Sequence, residues 1–204
     1  EAMDDGGGTR GFVIRASLEE GAADTRTSMS PNEDETSYAV FWNETDCISV
    51  NGIASESISI QEDRRSAEFT FLKGFESALY AAYPASVVSK YESGALTLLL
   101  PNVQTWSESD QFDPAAAVML AQAADGASLR FRHAMAYLRV TLSEASDPEP
   151  IAAVVLSAND GSALCGAFQA TYGSDLWTLT PQESAASQVE LRCGTQALRW
   201  DPGW

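Results

Sequence analysis

The stretch Phe12-Val-Ile-Arg-Ala-Ser-Leu18 decides the fold, because its side chains alternate between two kinds of surface. One side of the alternation carries Val13, Arg15 and Ser17, and the other is uniformly apolar. A period of two over seven residues predicts a half-buried β-strand, with the apolar side facing the core. The residues predicted to face the core are Phe12, Ile14, Ala16 and Leu18.

Short alternating segments of the same kind recur along the chain, separated by turn residues. They are about five residues long and no long helical stretch interrupts them, which predicts an all-β sandwich or barrel. The further predicted strands are 38–42, 47–50, 57–61, 67–72, 78–83, 96–100, 151–157, 163–168, 176–180 and 189–193.

Three places depart from this rhythm. Asp113 followed by Pro114 predicts the start of a helix of one or two turns, and the apolar run 118–123 fits either its continuation or a strand. The apolar parity changes between Phe131 and Leu138, which predicts a bulge between about 134 and 137, before a strand that continues through 142. Asn159-Asp160-Gly161 predicts a tight hairpin turn between strands 151–157 and 163–168.

The chain of 204 residues carries 29 acidic and 12 basic residues, for a net charge of −17. Such a field disfavours nucleic acid and anionic lipid surfaces as partners. Residues 1–10 are acidic and glycine-rich and are predicted to form a flexible tether, with one β-sandwich domain over 11–204. Because the chain starts at Glu1 with neither Met nor an apolar leader, we expect a mature exported protein.

Catalytic and metal-binding motifs are absent from the sequence. The single histidine, His133, has no nucleophile motif near it, and no GxSxG, HExxH, P-loop or dinucleotide fingerprint is present. No carboxylate pair stands out as a hydrolase site. The sequence therefore predicts a protein that is not an enzyme and has no cofactor or metal.

The three cysteines lie far apart and form no CxxC pair. An odd number leaves at least one thiol free; Cys165 and Cys193 either pair, if their strands are neighbours, or are small buried hydrophobes like Cys47. Among the five tryptophans, Trp106 lies in a loop and is the residue most suited to stack on a glycan, whereas Trp42 and Trp177 fall in predicted strands and are expected in the core.

An ordered series of landmarks resembles the fimbrillin family, the type V pilins and Mfa-like lipoproteins exported by Bacteroidetes. Each landmark is weak alone, and the specificity comes from their order over residues 11–195. In chain order they are Gly11-Phe-Val-Ile-Arg-Ala16, Thr25-Arg-Thr27, Trp42-Asn43, Asp46-Cys-Ile-Ser-Val50, Ala67-Glu-Phe69, Tyr80-Ala-Ala-Tyr-Pro84, Leu100-Pro101, Gln104, Phe112-Asp113, Phe131-Arg-His133, Leu138-Arg-Val140 and Leu164-Cys-Gly-Ala-Phe168.

The resemblance implies a transthyretin-like Greek-key β-sandwich, similar to the N-terminal domain of a family in which a C-terminal domain usually follows. It implies attachment to the outer membrane through an N-terminal lipid rather than a transmembrane helix, a place in a fimbrium, and partners that are other pilin subunits or surface proteins and glycans. It further implies that an arginine-directed protease cuts the loop after the first strand. Arg26 and Thr27 match that processing position, and Phe12, Ile14, Ala16 and Leu18 are then the residues that a donor strand replaces.

Two functions from different classes follow from the sequence. The first is a fimbrial subunit or surface lipoprotein that assembles by donor-strand complementation and serves cell adhesion. The alternative is a surface β-sandwich that binds carbohydrate on exposed aromatics such as Trp106. A permanent first strand, with Thr25-Arg26-Thr27 as an ordinary loop, is as compatible with the residues as a displaceable one.

Overall fold

A computed structural model describes residues 11–18, 30–31, 38–39, 41–75, 78–106, 113–124, 128–138 and 151–193, and the protein is nearly all β. The strands are β1 (Phe12–Leu18), β2 (Ser30–Pro31), β3 (Tyr38–Ala39), β4 (Ser49–Val50), β5 (Ile53–Ala54), β6 (Ser57–Ile60), β7 (Ser66–Phe71), β8 (Leu79–Tyr83), β9 (Val88–Glu92), β10 (Ala95–Leu100), β11 (Val103–Thr105), β12 (Met119–Ala123), β13 (Ser128–His133), β14 (Ala153–Ser157), β15 (Gly166–Gly173), β16 (Leu176–Pro181) and β17 (Gln188–Arg192). Two 3-10 turns, Ala85–Val87 and Pro114–Ala116, supply the helical content of these residues. The predicted all-β sandwich with short helical turns is confirmed.

The largest sheet has eight strands in the order β5-β4-β8-β12-β13-β1-β7-β6. Its pairs are antiparallel except that β1 runs parallel to β13. A four-stranded sheet, β16-β15-β10-β9, a three-stranded sheet, β11-β17-β14, and the short pair β2-β3 complete the described strands. Within the described residues, no helix is long and apolar enough to cross a membrane.

The main core lies inside the curl of the large sheet and is centred on Trp42. The Trp42 ring makes edge-on contacts with Phe69, Tyr83 and Phe131 at centroid distances of 5.2, 5.6 and 5.7 Å. The strands that carry Phe69 and Tyr83 are four places apart in the sheet, about 19 Å if the sheet were flat. One indole ring touches both, so the sheet wraps around Trp42.

A second core lies between the large sheet and the four-stranded sheet. Alternate residues of β8 and β12 point away from Trp42, and Ala82 and Leu120 pack there against Leu96, Leu98 and Phe168. The strands β8 and β12 of the large sheet are therefore buried on both faces. This packing of one sheet on another is the sandwich that the alternating pattern predicts.

A small polar cluster closes one end of the main core. The Tyr83 hydroxyl donates to Oδ1 of Asp46 at 2.9 Å, and the Asn43 backbone N–H donates to Oδ2 of the same carboxylate at 2.7 Å. Burial and the adjacent Asp46 charge raise the pKa of Tyr83 far above its ordinary value. Tyr83 therefore remains a protonated donor, and Asp46 fixes the chain that leads from Trp42 into β4.

Several local predictions meet different outcomes. Asp113 does cap a single 3-10 turn, because its side chain accepts from the Ala115 N–H at 2.9 Å, and 119–123 is a strand. The predicted strand 38–42 is wrong at its end, since residues 41–43 lie outside strands although Trp42 is fully buried. After β13 ends at His133 the chain is irregular to Leu138, and the predicted continuation through 142 lies outside the described residues.

The predicted Asp-Gly hairpin is wrong in its partners. β14 pairs with β17 and β15 pairs with β10 and β16, so the turn at Asp160 joins two different sheets. Gly161 has a φ of +78°, and Asp160 accepts from the Ser162 N–H at 2.9 Å. A turn is therefore present with the predicted positive φ at Gly161 but not at Asp160, and the strands that flank it pair elsewhere.

The cysteines are all free thiols. Cys165 and Cys193 are buried, and Cys47 is partly exposed. The Cys165 thiol donates to the Gln188 carbonyl at 3.0 Å, and burial raises the pKa of Cys193. Of the two alternatives for Cys165 and Cys193, the structure has the unpaired, buried one.

We expect Trp42→Ala to lower the free energy of unfolding by about 3–5 kcal/mol, because it empties the centre of the main core. Urea unfolding followed by circular dichroism measures the loss, with Trp106→Ala as the control. Trp106 is half-buried and follows β11 of the three-stranded sheet, outside the main core, so its truncation should cost clearly less. Equal losses in the two variants would contradict a core built around Trp42.

Candidate functional site

The candidate site is the place that β1 occupies between β7 and β13, here called the first-strand groove. Its walls are β7, antiparallel to β1 from Phe12↔Phe71 to Ser17↔Ser66, and β13, parallel to β1 from Arg15↔Ser128 to Leu18↔Phe131. β1 is thus the sixth strand of eight, with backbone partners on both sides. If β1 left, both walls would present unpaired N–H and C=O groups to water or to another strand.

The floor of the groove is apolar and is covered by alternate residues of β1. Ile14 is 0 % exposed, Ala16 2 % and Leu18 6 %, and Phe12 also packs against this core, which confirms that the four predicted residues face it. Phe12 is only half-buried, and its ring packs edge-on against Phe75 at 5.7 Å. Full burial of one such aliphatic side chain is worth about 1.5–3 kcal/mol, so the inward side chains of β1 hold it in place.

The main core supports both walls of the groove directly. Phe69, opposite Ile14, and Phe131, opposite Leu18, are the two aromatic residues on the walls that touch Trp42. The Arg65 carbonyl also accepts from the Leu18 N–H and from Trp42 Nε1, each at 3.1 Å. The positions of β7 and β13 are therefore fixed by the aromatic cluster around Trp42 as well as by their pairing with β1.

The outer side of β1 carries Val13, Arg15 and Ser17, of which Val13 and Arg15 are exposed and Ser17 is half-buried. Arg15 Nε lies 3.0 Å from Oε1 of Glu68, its cross-strand neighbour on β7. On the other side, Ser17 lies opposite Arg130 of β13. Since the Arg15 and Glu68 side chains are 77 % and 36 % exposed, their ion pair contributes less than about 1 kcal/mol to stability.

The predicted processing residues Arg26 and Thr27 lie outside the described residues.

The first-strand groove combines β1 with β7, β13, Trp42 and Phe75. Of these, the sequence identified β1 and placed a strand at each wall. The sequence analysis did not identify Glu68 or Phe75 as neighbours of β1. For Glu68 the sequence did contain a clue, because its place between the apolar residues Ala67 and Phe69 predicts an outward-facing side chain.

Trp106, the residue predicted to bind glycans, does not belong to the sheet that contains the first-strand groove. It follows β11 in the three-stranded sheet, where its N–H donates to the Arg192 carbonyl at 2.8 Å. Its ring is half-buried, not fully exposed. Trp177 belongs to β16 of the four-stranded sheet. Its ring packs against those of Tyr172 and Tyr80, at centroid distances of 5.4 and 6.3 Å. Carbohydrate binding by Trp106 stays a prediction.

The described residues bring together little that could perform chemistry. His133 ends β13 with its ring against Tyr137 at 6.0 Å, and no group of three metal-ligating side chains occurs in the described ranges.

An open surface depression of about 750 Å³ borders the turn after Trp42. Two carboxylates, Glu44 and Glu62, line it beside Arg64, and all three side chains are exposed to solvent.

Comparison with known proteins identifies no relative: no family model, no curated protein and no solved structure matches the chain. The interpretation of the first-strand groove therefore depends on its residues and geometry.

We expect Ile14→Ala to lower the free energy of unfolding by about 2–5 kcal/mol, because Ile14 fills the floor of the groove. Val13→Ala is the matched control: the neighbouring residue on the same strand is 47 % exposed, and its truncation should cost less than about 1 kcal/mol. Chemical denaturation of both variants measures the difference. A Val13→Ala cost equal to that of Ile14→Ala would show that β1 does not face the core as described.

Proposed function

We propose that this protein is a fimbrial subunit, or a fimbrillin-like surface lipoprotein, that assembles by exchanging its first strand for a strand of another subunit. The observation that carries the proposal is the position of β1, an interior strand of the large sheet that comes first among the described strands. One backbone cut after Leu18 would separate β1 from every other strand that the structure describes.

The first-strand groove has the two features that strand complementation requires. Its walls offer backbone hydrogen bonds on both sides, and its floor offers an apolar strip beneath alternate residues. The main chain of an incoming extended segment would form the backbone hydrogen bonds, and its alternate side chains would cover the apolar strip. Because β13 is parallel and β7 antiparallel to β1, a donor strand that reproduces these pairings also has a fixed direction.

The sequence after β1 supports the proposed release step. Residues 19–29 are mostly polar, and Thr25-Arg26-Thr27 provides a cleavage position for an arginine-directed protease, with Arg26 eight residues beyond Leu18. Cleavage there leaves β1 held only by non-covalent contacts. Those contacts keep the groove filled until a competing strand is available.

The proposed setting is the outer surface of an exported, lipid-anchored protein. Its partners are other pilin subunits, with adhesion to surface proteins or glycans as the outcome of assembly. The excess of acidic residues, with a net charge of −17, supports solubility and disfavours nucleic acid as a partner. We propose no enzymatic activity.

Strand exchange can be tested on the full chain carrying one inserted protease site after Glu20, cut after folding. We expect the cut protein to remain folded and to take up a fluorescent peptide with the sequence of residues 11–18, releasing its own first strand. Size-exclusion chromatography with mass spectrometry measures both species, and the uncut chain is the control that should take up no peptide.

A second peptide tests whether uptake depends on the floor of the groove. In that peptide Asp replaces the residues equivalent to Ile14 and Leu18, and we expect no uptake because two carboxylates would enter an apolar core. Strand exchange is wrong if the cut protein takes up neither peptide while remaining folded, or takes up both equally.

A further inference from the structure

The first-strand groove has chemical features that distinguish one donor strand from another. We propose that it selects strands with a basic residue at the position of Arg15, directly before a small residue at the position of Ala16. This inference rests on the proposed strand exchange and adds the chemistry of the partner strand. The proposal depends on Glu68 of β7 and on the packed core beneath Ala16.

Glu68 provides the charge selection. In the structure its carboxylate lies 3.0 Å from Arg15 Nε, directly across the β1–β7 pair. Opposite charges at facing positions of an antiparallel pair stabilise it, and like charges there destabilise it. An acidic residue at the Arg15 position would face Glu68 on a protein that is already strongly negative. A basic residue there is therefore favoured both locally and by the overall charge.

Ala16 provides the size selection. It is 2 % exposed and lies between Ala67 of β7 and Leu129 of β13, both of which are buried. Its side chain points into the main core, where Trp42, Ala67 and Leu129 are also fully or almost fully buried. A larger side chain at this position would overpack the core, at a cost of about 1–3 kcal/mol in comparable sites.

The two requirements together specify register as well as composition. A donor displaced by two residues toward β1's N-terminus would keep its apolar side on the floor but move its basic residue from Glu68 to a position opposite Thr70. A shift of two residues the other way would bring the basic residue to the Ser17 position, opposite Arg130. Parity alone cannot exclude such two-residue slips, whereas the pairing with Glu68 disfavours both.

The experiment measures the affinity of peptides for the cut full chain by competition against the fluorescent peptide 11–18. We expect Arg15→Glu in the peptide to weaken binding about three- to tenfold. The loss should shrink as salt is raised from about 0.05 to 0.5 M, because the pair is exposed and screened. Val13→Glu is the matched control: it introduces a carboxylate on the same face of the strand, opposite Thr70, and should weaken binding less than Arg15→Glu.

The reciprocal variant identifies Glu68 as the selecting residue. On the cut Glu68→Arg protein, the Arg15→Glu peptide should bind more tightly than the unchanged peptide, reversing their order. In the peptide, Ala16→Leu should weaken binding at least about fivefold on both proteins.

The outcomes separate this inference from strand exchange itself. If the unchanged peptide binds but the order of the charge variants is the same on both proteins, or Ala16→Leu binds as well as the unchanged peptide, the selection is wrong and strand exchange stands. If the unchanged peptide fails to bind the folded, cut protein, strand exchange is wrong and the selection fails with it.

Discussion

The pairing of β1 with two strands distant in sequence is the constraint on which the large sheet depends. β7 and β13 are joined to each other through β1 alone in the strand order, so β1 connects the two halves of the curled sheet. Its backbone pairs with both neighbours, and its inward side chains cover an apolar floor whose exposure to water would be unfavourable. A strand in this position is either permanent or replaced; an empty groove is the unfavourable state.

The rest of the core is arranged so that the groove has a defined shape. Trp42 packs against side chains from β7, β8 and β13, and Asp46 fixes the neighbouring chain through Tyr83. The second core, between β8, β12 and the four-stranded sheet, does not involve β1. Most of the buried apolar residues therefore belong to strands other than β1. This division lets us treat β1 as a replaceable part of a sheet whose remaining strands have packing of their own.

Much of the fold was predictable because alternation is a local property. The face of β1 that is buried, the all-β class, the strands β8 and β10 and the cap at Asp113 follow from side-chain order within a few residues. The strand β15 runs over Gly166–Gly173 instead of the predicted 163–168, and β9 has no predicted counterpart. What the sequence could not provide was pairing between distant strands. The Asp160 turn illustrates the limit, since its residues predict a turn but cannot specify that β14 and β15 join different sheets. Trp42 is buried as predicted but lies in an irregular segment, and its contacts with Phe69, Tyr83 and Phe131 come from strands that are distant in sequence.

The candidate site, too, was predictable from the sequence only in part. The apolar face of β1 was readable, whereas Glu68 opposite Arg15 required the register of β1 against β7. The most direct test of the proposed strand exchange is the N-terminal sequence and intact mass of the protein in the assembled material that its native cells produce. The account predicts assembled chains that begin at Thr27 and have lost β1. Assembled chains that retain residues 12–18 joined to the rest of the protein would contradict it.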